Sequence, residues 1–148
     1  MSDLSLERPL MRLLNHYRLS HQHPRNESIH ILCVPSIVWS LLALCWLGSP
    51  PVTIAGVVLA LAYYCYLSLS MALGMLLMSA TMLLVISQIP ADLLAPVALG
   101  VFVLAWIGQF IGHKIEGKKP SFFEDIRYLL IGPLFVLEIL YRRMGWSY

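Results

Sequence analysis

The chain is short of charge. Asp, Glu, Lys and Arg make up 12% of its 148 residues, where a soluble domain carries about 25%. No Lys or Arg occurs between Arg25 and Lys114, and Glu27 and Asp92 are the only acidic residues in that interval. So little charge excludes a disordered tail and a soluble enzyme with an ordinary solvated surface. It also excludes a nucleic-acid binder, because ten Lys and Arg with a net charge of +2 form no basic face. Cysteine is scarce too. Cys33, Cys45 and Cys65 are odd in number and sit in apolar runs, which is not a disulfide framework. Residues 1–28 lack the apolar segment of a cleaved leader, so the first span is expected to act as its own insertion signal.

What fills the chain is hydrocarbon. Hydrophobic residues are 59% of it, and the mean hydropathy is +0.76. The expected fold is an all-α polytopic membrane helix bundle, one integral-membrane domain over residues 1–148. Residues 1–22 read as an amphipathic helix, with Leu6, Leu10, Leu13, Leu14 and Tyr17 at helical spacing and arginines elsewhere on the wheel. Its place is the membrane interface. Pro24 ends it, and Asn26 reads as the N-cap of the next helix. The apolar stretch from Val52 to Ile89 would be about 57 Å long as one helix, roughly twice the bilayer core, so it must cross twice. Spans are therefore expected near 29–47, 52–67, 71–89 and 93–111, joined by turns at 48–51, 67–70 and 89–92. The apolar segment 128–141 is short, holds Gly132-Pro133 and carries Glu138. It reads as a broken, re-entrant or interfacial helix, with a tilted fifth span as the alternative.

Four crossings return the end of the last span to the side of the N-terminus. His30 and His113 then share one membrane face with eight of the ten Lys and Arg, and with all ten where segment 128–141 does not cross; the positive-inside rule makes that face cytoplasmic. The five histidines, His16, His21, His23, His30 and His113, all fall there. A lone interfacial histidine is ordinarily a satisfied polar residue, and His16 and His23 are read so. His21 and His30 are nine residues apart with a turn between them. His113 has Glu116 three residues on, a spacing that shares a helix face. Five histidines are too few for a membrane di-iron centre. One metal held by three His, with Glu116 as an optional fourth ligand, fits better and leaves positions open for O₂ or a chelating substrate. Lys118 and Lys119 follow at once and can receive a carboxylate. Tyr63, Tyr64 and Tyr66 read as packing or belt residues. Glu138 reads either as functional or as a partner of Arg142 or Arg143.

Two runs carry a family resemblance. One is Tyr17-x3-His21-x2-Pro24-x-Asn26-x3-His30-x4-Pro35. The other is Trp106-x2-Gln109-Phe110-x-Gly112-His113, followed by Glu116, Lys118-Lys119-Pro120, Gly132-Pro133 and Glu138. Together they resemble the family of the yeast endoplasmic-reticulum 2-hydroxy fatty acid dioxygenase. The resemblance implies Fe²⁺-dependent α-oxidation, in which a 2-hydroxy long-chain fatty acid and O₂ give a fatty acid one carbon shorter and CO₂. It implies His21, His30 and His113 as iron ligands. Around them Glu116 is read as a fourth ligand or a group orienting a histidine, Tyr17 and Asn26 as donors supporting the ligands, and Lys118 or Lys119 as the partner of the substrate carboxylate. The span interior would hold the alkyl chain. The two carbons at the break give up four electrons, which reduce O₂ completely, so neither an external reductant nor 2-oxoglutarate is required.

Other readings are a non-catalytic membrane protein with structural histidines and a metal-dependent lipid-modifying enzyme acting on another acyl substrate. A metal or proton transporter would want polar groups at mid-span, which the four spans barely offer. The expected compartment is the bacterial inner membrane, with the endoplasmic reticulum second.

Overall fold

A computed structural model describes residues 8–119 and 127–148. All regular structure among them is α-helical: α1 (Pro9–Arg18), α2 (Pro24–Gly48), α3 (Pro50–Leu67), α4 (Leu69–Gln88), α5 (Ala91–Glu116) and α6 (Arg127–Met144). Helices α2 to α5 are each long and apolar enough to cross a membrane. The four expected spans are therefore present; α2 and α5 run beyond their sequence-based limits at both ends, while α3 and α4 start two residues early and end at or one residue before theirs. The turns are tighter than expected. Ser49 alone separates α2 from α3 and Ser68 alone separates α3 from α4, each extended and accepting a backbone N–H of the helix it starts, from Val52 and Met71. Pro50 then occupies the first turn of α3, where its missing N–H costs nothing.

The start of α2 departs from expectation. Its N-cap is His23, whose side chain accepts the Arg25 N–H, and Pro24 opens the helix instead of merely ending the one before. Asn26 lies inside the first turn, which frees its side chain for a tertiary contact described below. Helix α1 covers Pro9–Arg18 of the expected stretch 1–22. Leu10, Leu14 and Tyr17 are buried, and this face packs on α6. The expected positions 1–7 lie outside the described residues.

The larger correction concerns α6. It is one unbroken helix in spite of Gly132 and Pro133. Every residue from Ile131 to Ile139 is buried, and α6 packs against α1, α2 and α4. A proline inside a helix costs about 3 kcal/mol, and packing on several sides offsets that. Two tyrosine latches add to it. Tyr64 Oη donates to the Leu130 carbonyl at 2.9 Å, and Tyr141 Oη donates to the Ser70 carbonyl at 2.9 Å. The outward faces of α2 to α5 remain apolar, with Leu32, Leu59, Leu77 and Leu104 each at least 70% exposed, as suits contact with lipid.

The tightest contact in the bundle joins α2 to α5. Ala43 packs with Leu94 and Ala98 at one end, and Cys33 and Ile37 pack with Ala105 farther along, so the two helices run antiparallel. Gly108 and Gly112 form a small-x3-small step on α5 that lets the backbones approach. A Cβ at Gly108 would strike Cys33 Sγ, and one at Gly112 would strike Asn26 Oδ1.

Gly112→Ala is expected to destabilise the bundle by about 1–3 kcal/mol, seen as a lower unfolding midpoint in detergent. Gly100→Ala, whose added Cβ meets nothing within 4 Å, is expected to leave the midpoint unchanged or raise it. Equal midpoints for the two variants would contradict the close helix approach.

Candidate metal centre

The antiparallel pairing of α2 and α5 brings the first turns of one helix beside the last turn of the other. His30 therefore meets His113, and the bend after α1 adds His21. All three are buried, and one ring nitrogen from each lies within 4.8 Å of the others. His21 Nε2 is 2.8 Å from His30 Nε2, which is 3.2 Å from His113 Nε2. These three side chains could hold a metal ion.

The tautomers decide what the nitrogens offer. His21 Nδ1 lies 2.8 Å from the Tyr17 carbonyl oxygen, and His30 Nδ1 lies 2.9 Å from that of Asn26. A carbonyl only accepts, so each Nδ1 carries the proton and each Nε2 presents a bare lone pair. Two lone pairs 2.8 Å apart repel unless a cation lies between them. A proton is a poor candidate, because burial pushes the His21 pKa down to about 4. Three neutral imidazoles are a donor set that suits Zn, Cu, Fe or Ni. His113 differs in one respect: its Nδ1 is buried and has no hydrogen-bond partner among the described residues.

The surroundings hold the rings in place. Tyr17 stacks on His21 with centroids 4.2 Å apart and planes within 6°. Phe135 of α6 packs on both rings, at 5.0 Å from Tyr17 and 5.5 Å from His21. The Tyr17 carbonyl orients the same imidazole, so this residue acts through its ring face and its backbone.

Glu116 is not among the three clustered groups. Its carboxylate accepts the Gln22 N–H at 3.0 Å, the His23 N–H at 2.8 Å and Asn26 Nδ2 at 3.1 Å. One side chain at the end of α5 thus clamps the bend carrying His21 and the helix carrying His30. Gly117, at φ 76°, ends α5 in the left-handed region open to glycine. Lys118 then turns back, and its Nζ donates to the Leu19 carbonyl. Lys119 is exposed beside it.

The remaining candidates lie elsewhere. His16 stacks on Tyr128 at 5.8 Å, and His23 is the exposed N-cap of α2. Glu138 is fully buried and pairs with Arg18 at 2.9 Å and Arg142 at 3.4 Å, while the Tyr148 hydroxyl donates to it at 2.9 Å. Arg143 pairs with Glu27 instead. This network fastens α1 and the C-terminal tail to α6. Sequence reasoning missed Phe135 and gave Gln109 no role beyond its place in the resemblance. Gln109 is fully buried one turn before His113, and neither of its side-chain polar atoms has a hydrogen-bond partner among the described residues. The Gly108-x3-Gly112 spacing around it was the available signal, since it marks the face of α5 that meets another helix.

Comparison with known proteins agrees with the resemblance. The sequence model of the family described as 2-hydroxy-palmitic acid dioxygenase Mpo1-like matches residues 8–144. A curated relative, 2-hydroxy-palmitic acid dioxygenase MPO1 of Saccharomyces cerevisiae, is 31% identical over 140 residues, covering 87% of this chain and 78% of the relative. No solved structure matches.

His21→Ala, His30→Ala and His113→Ala are each expected to abolish binding of one divalent transition-metal ion per chain, measured by elemental analysis after reconstitution. His16→Ala and His23→Ala are expected to retain it. Glu116→Ala is expected to weaken affinity about 10–100-fold, the usual cost of losing a group that orients ligands. Full metal loading in His30→Ala would refute the site.

Proposed function

The chain belongs to the family described as 2-hydroxy-palmitic acid dioxygenase Mpo1-like, and on that premise we propose that it is an iron(II)-dependent dioxygenase of 2-hydroxy long-chain fatty acids. The reaction consumes one O₂ and yields CO₂, water and a fatty acid one carbon shorter. Atoms balance, and the four electrons lost by the two carbons reduce both oxygen atoms. The observation that carries this reading is the meeting of the Nε2 atoms of three buried histidines where the start of α2 lies beside the end of α5.

His21, His30 and His113 would hold the iron. When bound, iron(II) supplies the redox chemistry toward O₂ and a charge that a 2-hydroxy carboxylate can chelate. The chain's own groups do the rest. The Tyr17 and Asn26 carbonyls keep the Nδ1 protons of His21 and His30 in place, so the Nε2 lone pairs stay available. Asn26 also joins Glu116 in holding α2 to α5. Glu116 is a positioning residue, because its oxygens are committed to the Gln22 and His23 N–H groups and to Asn26. Lys118 and Lys119 follow the end of the helix that carries His113. There they offer positive charge to a substrate carboxylate arriving from the membrane surface.

The positive-inside rule supports a cytoplasmic site, since all ten Lys and Arg fall on that side of a four-span topology. The curated relative is a yeast protein, so family membership does not itself select the bacterial inner membrane over the endoplasmic reticulum.

Anaerobically purified protein loaded with Fe²⁺ is expected to release CO₂ from 2-hydroxy-palmitic acid and O₂ without added reductant, leaving the fifteen-carbon acid. Lys118→Ala with Lys119→Ala is expected to raise KM several-fold with a smaller change in kcat. Absence of the shortened acid from an iron-loaded, folded protein would overturn the assignment.

A further inference from the structure

In two of the three clustered histidines, Nδ1 is bonded to a backbone carbonyl four residues earlier, His21 to Tyr17 and His30 to Asn26. His113 breaks the pattern, because its buried Nδ1 has no hydrogen-bond partner among the described residues. Four residues before it stands Gln109, fully buried. The Oε1 and Nε2 of that side chain likewise have no partner among the described residues. We propose that Gln109 is the positioning residue of His113, its side-chain amide pairing with His113 Nδ1 and so setting which ring nitrogen is offered to a metal ion. The inference rests on the three-histidine metal reading and not on the identity of the substrate.

Helix geometry supports the pairing. Residues four apart share a helix face, with Cβ atoms about 5–6 Å apart, and helical side chains lean back over the preceding turn. The His113 ring therefore leans toward the turn that carries Gln109, and the three side-chain torsions of glutamine bring its amide within reach. Both residues belong to the buried stripe of α5 that also holds Ala105 and Gly112, the stripe that meets α2. A buried polar group without a partner carries its full desolvation cost. Three such atoms lie within one turn here, and one amide–imidazole bond satisfies two of them.

The neighbouring acceptors are held elsewhere. Glu116 is committed to the Gln22 and His23 N–H groups and to Asn26. Asn26 Oδ1 is also buried and without a partner among the described residues. It is held against Gly112 by the bonds that Asn26 Nδ2 donates to the Ser20 carbonyl and to Glu116. No bond among the described residues fixes the Gln109 amide in the same way.

An amide also suits both tautomers of this ring. His30 Nε2 is a bare lone pair, because Nδ1 holds the proton, and His113 Nε2 lies 3.2 Å from it. In the metal-free chain the favourable arrangement has a proton on His113 Nε2, donated to His30, and a bare Nδ1. Offering His113 Nε2 to a metal requires the opposite tautomer, with the proton on Nδ1. Gln109 serves each in turn, donating from Nε2 to the bare Nδ1 and accepting at Oε1 from the Nδ1–H. The ring stays neutral throughout, with one proton moved from Nε2 to Nδ1.

The test is Co²⁺ binding to the full chain in detergent, titrated against a chelator of known affinity and followed by visible absorption of the bound ion. Gln109→Met, close in volume but without the amide, is expected to raise the Kd about 10–100-fold. Gln109→Asn keeps an amide but shortens its reach, and is expected to lose affinity in the same way. Gln109→Glu still accepts from Nδ1–H, and is expected to bind within a few-fold of the parent or more tightly. In ring ¹⁵N–¹H NMR of the Zn²⁺-loaded chain, the His113 Nδ1–H proton is expected at the low field of a hydrogen-bonded proton, and to move upfield in Gln109→Met. Equal Co²⁺ affinity in the parent and Gln109→Met would overturn the inference and leave the metal centre standing. A loss in Gln109→Glu as large as that in Gln109→Met would also overturn it, since Gln109 would then act by packing alone. A folded parent that binds no Co²⁺ would refute the metal centre and the inference together. The readout is binding and not turnover, so a chain that meets these expectations yet releases no CO₂ would uphold Gln109 and refute the dioxygenase reading alone.

Discussion

The close approach of α2 and α5 at Gly108 and Gly112 is the constraint on which the rest of the structure depends. A Cβ at either position would collide with Cys33 or Asn26, so glycine is what permits the two backbones to meet. In lipid, helix association draws little from the hydrophobic effect and depends on packing and polar contacts. Glu116 supplies the polar part, reaching from the end of α5 to two backbone N–H groups and Asn26. His30 and His113 come within 3.2 Å as a consequence of that pairing.

The site is then built from helix ends. Each of His21 and His30 donates an Nδ1–H hydrogen bond to a carbonyl four residues earlier, a partner that helical or near-helical backbone places there. Such local bonds cost little to arrange and leave the reactive nitrogen pointing away from its own helix. Burial removes the protonated alternative for His21. The result is a set of neutral donors whose mutual repulsion is relieved by a cation, so metal affinity and the geometry of the pocket are two expressions of one arrangement. Helix α6 closes it from the side with Phe135, and the Arg18–Glu138 pair fastens α1 to that same helix. The pair is buried on the Glu138 side and half-exposed on the Arg18 side, so its clearest effect is to hold α1 against α6.

The sequence by itself determined the membrane class, the four spans and the side on which the charges gather, because hydrocarbon length and charge placement follow from composition along the chain. It also singled out His21, His30 and His113, which the helix count carries to one end of the bundle. Only the tertiary structure decided the rest. Asn26 reads as an N-cap from its neighbours, yet His23 takes that place and Asn26 turns to Glu116. Gly132-Pro133 reads as a break, yet packing around α6 keeps the helix whole. The role of Glu116 was closed to sequence reasoning for a related reason. Its spacing from His113 describes one helix face, whereas its partners lie more than ninety residues away on another element. Local rules fix what a segment prefers, and contacts between segments distant in sequence decide which preference is kept.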